Sequence, residues 1–476
     1  MALVIVAAQG HPPGMRFIDF TRPSALLVAL ALACQSSSDP PQETDSDTGT
    51  SDTGDSPTGG SGTDGETGGS ESGGGEDETP ILERPTVVSH TCEATTPVMQ
   101  IGGANWHTDA LAVHGGAVWQ VRSDEDALSL STLAADGTLG ASIVLDGEKF
   151  AYKEADLAAS GGHLAVVWLY TAPSSEVTLR FAVFAADGAP EVAAHDLGGI
   201  SGMWLQSPRV LPRAAGGWSV FYATADDGGA STLRHVAVDA SGAPLGAPSD
   251  VVVGGQTFGA LLPSVVPTDE GYALTYSDNA GQGFEVFFVS LDADAAPRTT
   301  ARRISRAAGD GWTVDGGFSN GGKSLLAVGD RLWATWTETR FNDDFVDPKG
   351  ETTVHLGVLD EQGDGPNILL SAPVEGKRAV DPTLFAFGDR VGLMWTTGTI
   401  IFICGGCIAD DDVKLVLLDP ATVAPASQVV THLHAPNGFV RPTPAVLGDE
   451  ILHTVDVDFH ALTKPAVGAT TCTPKP

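Results

Sequence analysis

Basic residues are scarce in this chain. Its 476 residues include 25 lysine and arginine residues against 60 aspartate and glutamate residues, a formal net charge of −35 at pH 7. Such a surface repels phosphate backbones, so nucleic acid is disfavoured as a partner. Helical periodicity is missing as well, because no long stretch repeats apolar residues every three to four positions. The chain is therefore expected to be neither a helical bundle nor a nucleic-acid-binding protein.

Motifs of catalysis are also absent. No Gly-x-Ser-x-Gly follows a strand-like segment, and no glycine-rich phosphate loop is present. The carboxylates are too numerous to single out an acid–base pair. No catalytic residue is assigned, and whether the chain is an enzyme stays open, with the balance against it.

An apolar run ends at Cys34. Arg16 and Arg22 flank it, and its core at residues 24–33 is too short to span a bilayer. This arrangement resembles the signal peptide and lipobox of bacterial lipoproteins, in which the cysteine is lipidated and becomes the mature N-terminus. Leu32 stands where that family prefers a small residue, so an ordinary secretory signal cut near Ala33 is the alternative.

The resemblance implies export and a lipid anchor at Cys34. Gln35 is not the aspartate that retains members of that family in the inner membrane, which favours the outer membrane or the cell surface. Residues 1–34 are interpreted as the signal, with Met15 as an alternative start. Membrane contact is then expected through the lipid alone.

Residues 35–83 form an acidic linker. From Gln35 to Pro80 there are twelve carboxylates and no lysine, arginine, histidine or aromatic residue. Such a composition cannot bury apolar surface and predicts a disordered tether. The remaining residues, 84–476, are expected to form one folded domain.

That domain repeats one pattern. A strand-like segment leads to a tight turn, a second strand reaches an aromatic residue, and a third strand ends in a turn of the Asp-Gly kind. The first turns are Gly115-Gly116, Gly161-Gly162, Gly216-Gly217, Glu270-Gly271, Gly329-Asp330, Gly388-Asp389 and Gly448-Asp449, and the aromatic residues are Trp168, Tyr222, Tyr276, Trp336 and Trp395. The spacing predicts an all-β domain, a seven-bladed β-propeller, with six or eight blades as alternatives.

The ends of the domain are predicted to meet. Residues 96–103 resemble the fourth strands of other copies, so an N-terminal strand would complete the last blade. Cys92 and Cys472 flank this junction, and a disulfide between them would lock the ring. Cys404 and Cys407 are interpreted as a staple across a loop, with a redox or zinc role as the alternative.

This architecture resembles the broad group of propellers that includes sialidase-like and other extracellular repeat domains. Neither the sialidase Asp-box nor the integrin-type cation loop is present, so no active residue is carried over. The resemblance covers residues 96–472 and implies the fold.

Binding is expected at the end of the propeller that carries the long loops, because loops on a rigid scaffold often bind ligands. Several connections between blades contain an aromatic residue that could form a ligand face, although packing between blades is the alternative. These residues are Trp106, Phe150 with Tyr152, Trp204, Phe258, Trp312 and Phe439.

Two sets of polar residues are weak metal candidates. The insertion 337–351 contains Glu338, Asn342, Asp343, Asp344 and Asp347, whose oxygens could bind Ca²⁺, although a solvated acidic loop is the alternative. His432, His434, Asp456, Asp458 and His460 could begin a transition-metal site. No cofactor is otherwise expected.

The sequence therefore favours a monomeric, surface-exposed, non-catalytic binding or scaffold module for protein or glycan. The alternative is an extracellular glycan-processing hydrolase or lyase with the same fold. Convergent charged side chains at the central entrance would favour the enzyme, and aromatic residues with backbone alone would favour binding.

Overall fold

The structure is a computed structural model, and it describes residues 79–95, 98–99, 107–123, 127–147, 154–171, 177–202, 205–225, 231–253, 261–279, 284–305, 312–314, 323–340, 352–372, 377–400, 408–435, 442–457 and 464–475. All of them lie in the compact unit Ser72–Pro476. Among these residues no helix is long and apolar enough to cross a membrane.

The regular secondary structure of the described residues consists of β-strands, apart from a 3-10 turn at Ile81–Glu83. The first strands are β1 (His90–Ala94), β2 (Val98–Met99), β3 (His107–His114), β4 (Ala117–Ser123), β5 (Leu128–Leu133), β6 (Ile143–Asp146), β7 (Ala155–Ser160), β8 (His163–Thr171), β9 (Val177–Ala185), β10 (Pro190–Gly202), β11 (Leu205–Pro212), β12 (Trp218–Ala225), β13 (Ser231–Val238) and β14 (Ser249–Val253).

The later strands are β15 (Leu261–Thr268), β16 (Gly271–Asn279), β17 (Phe284–Leu291), β18 (Arg302–Arg303), β19 (Trp312–Val314), β20 (Lys323–Val328), β21 (Arg331–Arg340), β22 (Thr352–Leu359), β23 (Asn367–Leu369), β24 (Lys377–Phe387), β25 (Arg390–Ile400), β26 (Ile408–Asp419), β27 (Ala424–Pro425), β28 (Val430–Ala435), β29 (Thr443–Leu447), β30 (Glu450–Val457) and β31 (Lys464–Pro474).

These strands make seven antiparallel sheets, the blades of a β-propeller, as the repeat predicted. Blades 1 to 4 are β3–β6, β7–β10, β11–β14 and β15–β18. Blade 5 consists of β19–β23, blade 6 of β24–β28, and blade 7 of β29–β31 with β1 and β2. The innermost strands contact one another in a closed cycle, β3–β7–β11–β15–β20–β24–β29 and back to β3.

The core is divided among the seven spaces between adjacent blades. Each space contains one cluster of buried apolar side chains contributed by both neighbouring sheets. The repeated aromatic residue of the second strand belongs to these clusters, as at Trp168, Tyr222 and Trp336. A single blade could not bury both of its faces, so the stacking of the blades supplies the apolar burial that stabilises the ring.

Ring closure differs in detail from the prediction. The closing strand is β1, and Val98–Met99, the described part of the predicted segment 96–103, is also paired to β31. Cys92 lies directly opposite Cys472 in this ladder, and a disulfide joins them. The bridge therefore forms inside the closing strand pair rather than at its flank. The antiparallel register decides this, because it sets the two cysteines across from each other.

Candidate functional site

The two ends of the propeller are built differently. We call the end with the turns after each first and third strand the turn end, and the opposite end, where blades connect, the loop end. In a typical turn after a third strand, the Asp239 carboxylate accepts hydrogen bonds from the N–H groups of Ser241 and Ala243 at 2.8 and 2.9 Å. These hydrogen bonds, with the Ser241 side chain first, lower the pKa of Asp239. The same contact recurs at Asp136, Asp187, Asp292, Asp360 and Asp419.

Near the loop end, several innermost strands have bulges. Register shifts interrupt β3, β11, β15 and β24 at corresponding places, and Pro208, Pro263 and Pro382 lie within three of them. Proline has no N–H for the ladder, so a bulge is where a strand accommodates it. Bulges are common beside binding sites because they redirect the chain.

Just beyond the bulges, polar side chains connect each blade to the next. The Asp156 carboxylate accepts the Val210 N–H at 2.9 Å, and Arg209 donates to the Pro263 carbonyl at 3.3 Å. Ser264 and Ser324 accept N–H groups of the following blades, and Thr383 donates to the Pro442 carbonyl. We call these five residues the latch residues. The Asp and Arg side chains here thus hold adjacent blades together.

The predicted ligand-face aromatic residues fall mostly outside the described part of the chain. Trp312 is the first residue of β19, which pairs with the end of β21 near the loop end. Trp106, Phe150, Tyr152, Trp204, Phe258 and Phe439 lie outside the described residues. The structure therefore does not test whether they share one surface.

Blade 5 has a buried polar cluster at its loop end. Glu338, 4% exposed, accepts the Trp336 indole N–H at 2.8 Å, and its other oxygen is 3.3 Å from His355 Nε2. The His355 ring stacks on Trp336 with centroids 5.7 Å apart. His355 Nδ1 is 3.0 Å from Asn367 Oδ1, and Thr353 Oγ1 is 3.1 Å from Nε2. A carboxylate and an imidazole in this arrangement could exchange a proton.

Glu338, the first acidic residue of the insertion 337–351, lies within β21, and its two oxygens face Trp336 and His355. Calcium binding by this insertion stays a prediction. Asn342, Asp343, Asp344 and Asp347 lie outside the described residues. Within the described part of the chain, no group of three or more His, Cys, Asp or Glu residues could hold a metal ion.

The opposite face of blade 5 is also polar. Thr335, Thr337 and Thr339 alternate along β21 on the face toward blade 6, and Thr352 pairs with Thr339 from β22. All four hydroxyls are buried and have no hydrogen-bond partner among the described residues. An unsatisfied buried hydroxyl costs about 1–3 kcal/mol, so ordered water between the blades is the expected partner.

Sequence reasoning missed this part of blade 5. The signal was the alternation of threonine in the segment 335–340, Thr-Trp-Thr-Glu-Thr-Arg. Trp336 was noted only as a repeated core aromatic, and Glu338 only as a possible calcium ligand.

A further charged cluster connects blades 1 and 2 near the loop end. Arg180 contacts the carboxylates of Asp146 at 3.3 Å and Asp196 at 2.9 Å, and its guanidinium lies 3.5 Å from the centre of the Tyr170 ring. Asp146 is 6% exposed. The two carboxylates and the aromatic ring surround the guanidinium of Arg180. We therefore expect Arg180 to hold blades 1 and 2 in position.

A buried serine and histidine occur between blades 3 and 4. Ser219 Oγ lies 2.9 Å from His235 Nε2 and 2.7 Å from Tyr272 OH. Burial lowers the pKa of His235 to about 4, with Arg213 contributing in the same direction. The pair resembles an activated nucleophile in chemistry. Ser219 is fully buried, however, so no substrate can reach its hydroxyl.

The other predicted site residues divide as follows. His432 is described, and its ring packs against the ring of His453. The side chains of His434 and Asp456 are not described, and Asp458, His460, Cys34, Cys404 and Cys407 lie outside the described residues. Lipidation and the second cysteine pair therefore stay predictions.

No protein-family model and no curated protein matches this chain. Solved structures do match its fold. Polysaccharide lyase Uly1 is 10% identical, with 77% of this chain and 90% of that chain covered and a TM-score of 0.44. A protein of unknown function from Dyadobacter fermentans is 10% identical, with 80% and 99% covered and a TM-score of 0.44. The GH43 protein BlXynB from Bacillus licheniformis is 8% identical, with 78% and 98% covered and a TM-score of 0.34. Likeness at this level concerns the fold alone.

Proposed function

We propose that this chain is an exported, lipid-anchored propeller that binds protein or glycan through its loop end without catalysis. The observation that supports the proposal most is the contrast between the two ends. The turn end repeats one compact turn in most blades, whereas the connections at the loop end differ in length and sequence from blade to blade, and Glu338 and Asp146 are buried near that end. Variation on a repeated, rigid scaffold is typical of a recognition surface.

The latch residues support binding over catalysis. In the sequence-based expectation, convergent charged side chains at the central entrance would indicate an enzyme. Two of the described charged side chains of the innermost strands, Asp156 and Arg209, instead hold neighbouring blades together. They are thereby occupied within the scaffold rather than presented to a substrate.

The experiment tests the ends separately. The full-length protein is applied to glycan and peptide arrays, beside a variant in which residues 341–351 are replaced by Asn-Gly. The matched control carries Asp330→Ser, Asp389→Ser and Asp449→Ser in the first turns of the turn end. We expect the loop variant to lose binding at least about tenfold, a loss of about 1.4 kcal/mol, and the control to retain it. Loss in the control alone would contradict the proposal.

A second candidate, glycan processing, is the alternative that the sequence left open, and the buried pair of Glu338 and His355 gives a position at which to test it. An assay for release of reducing ends from neutral and acidic polysaccharides tests it. Activity that Glu338→Gln abolishes, while the thermal unfolding midpoint stays within a few degrees, would replace the binding proposal. Array binding without any release of reducing ends would support the binding proposal.

A further inference from the structure

Blade 7 contains both ends of the propeller chain, and we call its interface with blade 6 the seam. Three of the chain's histidines are buried there. His90, on the closing strand β1, is 8% exposed and packs edge-on against Phe387 of blade 6, with ring centroids 6.1 Å apart. His432 of blade 6 and His453 of blade 7 are 3% and 0% exposed. Histidine is rarely so concentrated in an apolar interface.

His432 and His453 contact each other across the seam. Their rings are 4.5 Å apart between centroids and nearly perpendicular. Thr470 Oγ1 lies 2.8 Å from His432 Nδ1, whereas neither ring nitrogen of His453 has a hydrogen-bond partner among the described residues. Gly468 leaves the room that the His453 ring fills, since a Cβ there would lie 2.3 Å from its Cε1. Within the described part of the chain, the pair is thus enclosed without a charged partner.

The interface in which this pair lies contains an apolar core cluster. Blade 6 contributes Phe385, Phe387 and Met394, and the Cys92–Cys472 disulfide lies in the same cluster. The charged groups of blade 6 on this side are Arg390 with Asp389 and Asp419, which pair with each other at the turn end. Among the described residues, no ion pair joins a carboxylate to either ring.

Protonation of the pair would therefore oppose the packing of the seam. Burial lowers the pKa of His432 to about 4, and burial together with His432 lowers the pKa of His453 well below its usual value. Both rings are neutral in the closed seam at pH 7. An open seam exposes them to water, where a histidine takes up a proton near pH 6.5. The open form thus binds more protons between about pH 6.5 and pH 4, so the seam is most stable above this window and weakens as the pH falls through it.

We propose that the seam between blades 6 and 7 is an acid-sensitive joint of the ring, in which protonation of His432 and His453 separates the two blades. The disulfide lies within blade 7 and holds β1 on β31 while the joint opens. Contact between the two blades then depends on pH, while the covalent bond keeps blade 7 intact. Opening is reversible, because the tethered strand remains in register.

Hydrogen exchange measured by mass spectrometry on the full-length protein tests the proposal between pH 7.5 and pH 5, after correction for intrinsic rates. We expect the opening equilibrium for β30 and β31 to increase roughly 30-fold over this range from His432 alone, whose pKa is about 4 in the closed seam and about 6.5 in the open one, and to increase further from His453. Blade 2, which has no buried histidine on β7, β8 or β9, should change much less.

The variant His432→Asn with His453→Asn should remove the pH dependence in blades 6 and 7. His163→Asn, an exposed position in blade 2, is the matched control and should retain it. The single variant His432→Asn serves if the double variant does not fold, and it should reduce the dependence by about the contribution of one histidine. An unchanged dependence in a folded variant, or equal acid-induced exchange in all blades of the wild-type protein, would overturn the proposal.

Discussion

Gly468 on β31 shows how one residue can decide the packing of an interface. A Cβ at this position would meet Cε1 of His453 at 2.3 Å and Nε2 at 2.6 Å, and the ring is fully buried. We expect Gly468→Ala to lower the free energy of unfolding by about 1–3 kcal/mol, because overpacking displaces a ring that has no free space. Urea unfolding measures the change. Gly246→Ala is the control, since nothing lies within 4 Å of its Cβ position. Equal effects would contradict the packing argument.

Glu338 offers a second prediction at the residue scale. Glu338→Ala would leave the buried Trp336 indole N–H without its acceptor and would create a cavity, so we expect a loss of about 2–4 kcal/mol. Glu338→Gln keeps an oxygen for that N–H and should lose less. The exposed Glu191→Ala is the control. Urea unfolding followed by tryptophan fluorescence measures all three, and equal losses in the alanine and glutamine variants would argue against the indole contact.

Among the strands, the latch residues act between neighbouring blades. Ser264→Ala and Ser324→Ala would each leave a backbone N–H of the next blade, at Leu325 and Leu384, without its partner. We expect each to cost about 1–3 kcal/mol. Ser264→Thr keeps the oxygen and should cost less. Hydrogen exchange at the Leu325 and Leu384 amides measures the loss of each hydrogen bond directly. Unchanged protection of these amides in the alanine variants would contradict the role of the latch residues.

The strands that could be predicted are those with strong local signals. The third strands, such as Val177–Ala185, were predictable because an apolar segment ends in an Asp-containing turn. The latch residues could not be predicted, since a serine on an innermost strand differs little in sequence from a solvent-exposed serine. Only the ring places Ser264 beside the Leu325 N–H of the next blade. Closure through His90–Ala94 was missed for a related reason, because this segment gains its apolar neighbours only from β31 and blade 6.

For the molecule as a whole, the Cys92–Cys472 disulfide closes a loop with a sequence separation of 380. The chain-entropy model predicts about 6 kcal/mol of stabilisation for a loop of this length. We expect Cys92→Ala with Cys472→Ala to lower the free energy of unfolding by several kcal/mol and to increase exchange of β1 first. Comparison with the wild-type protein under reducing conditions is the control. A variant as stable as the oxidised wild-type protein would contradict closure by the bridge.

Stability against acid depends on two opposing contributions across the molecule. Buried His235 and His432 have pKa values lowered to about 4, so each contributes stability above pH 6.5 that is lost as the pH falls toward 4, by at most about 3 kcal/mol. The net charge of −35 acts in the other direction, because protonating carboxylates relieves repulsion. Carboxylates titrate mainly below pH 4.5, so the histidines decide the range from pH 7 to 5. We therefore expect the free energy of unfolding in urea to fall over that range, and His235→Asn to flatten part of the fall. A free energy that rises from pH 7 to 5 would mean that charge repulsion, and not histidine burial, controls the acid response of the ring.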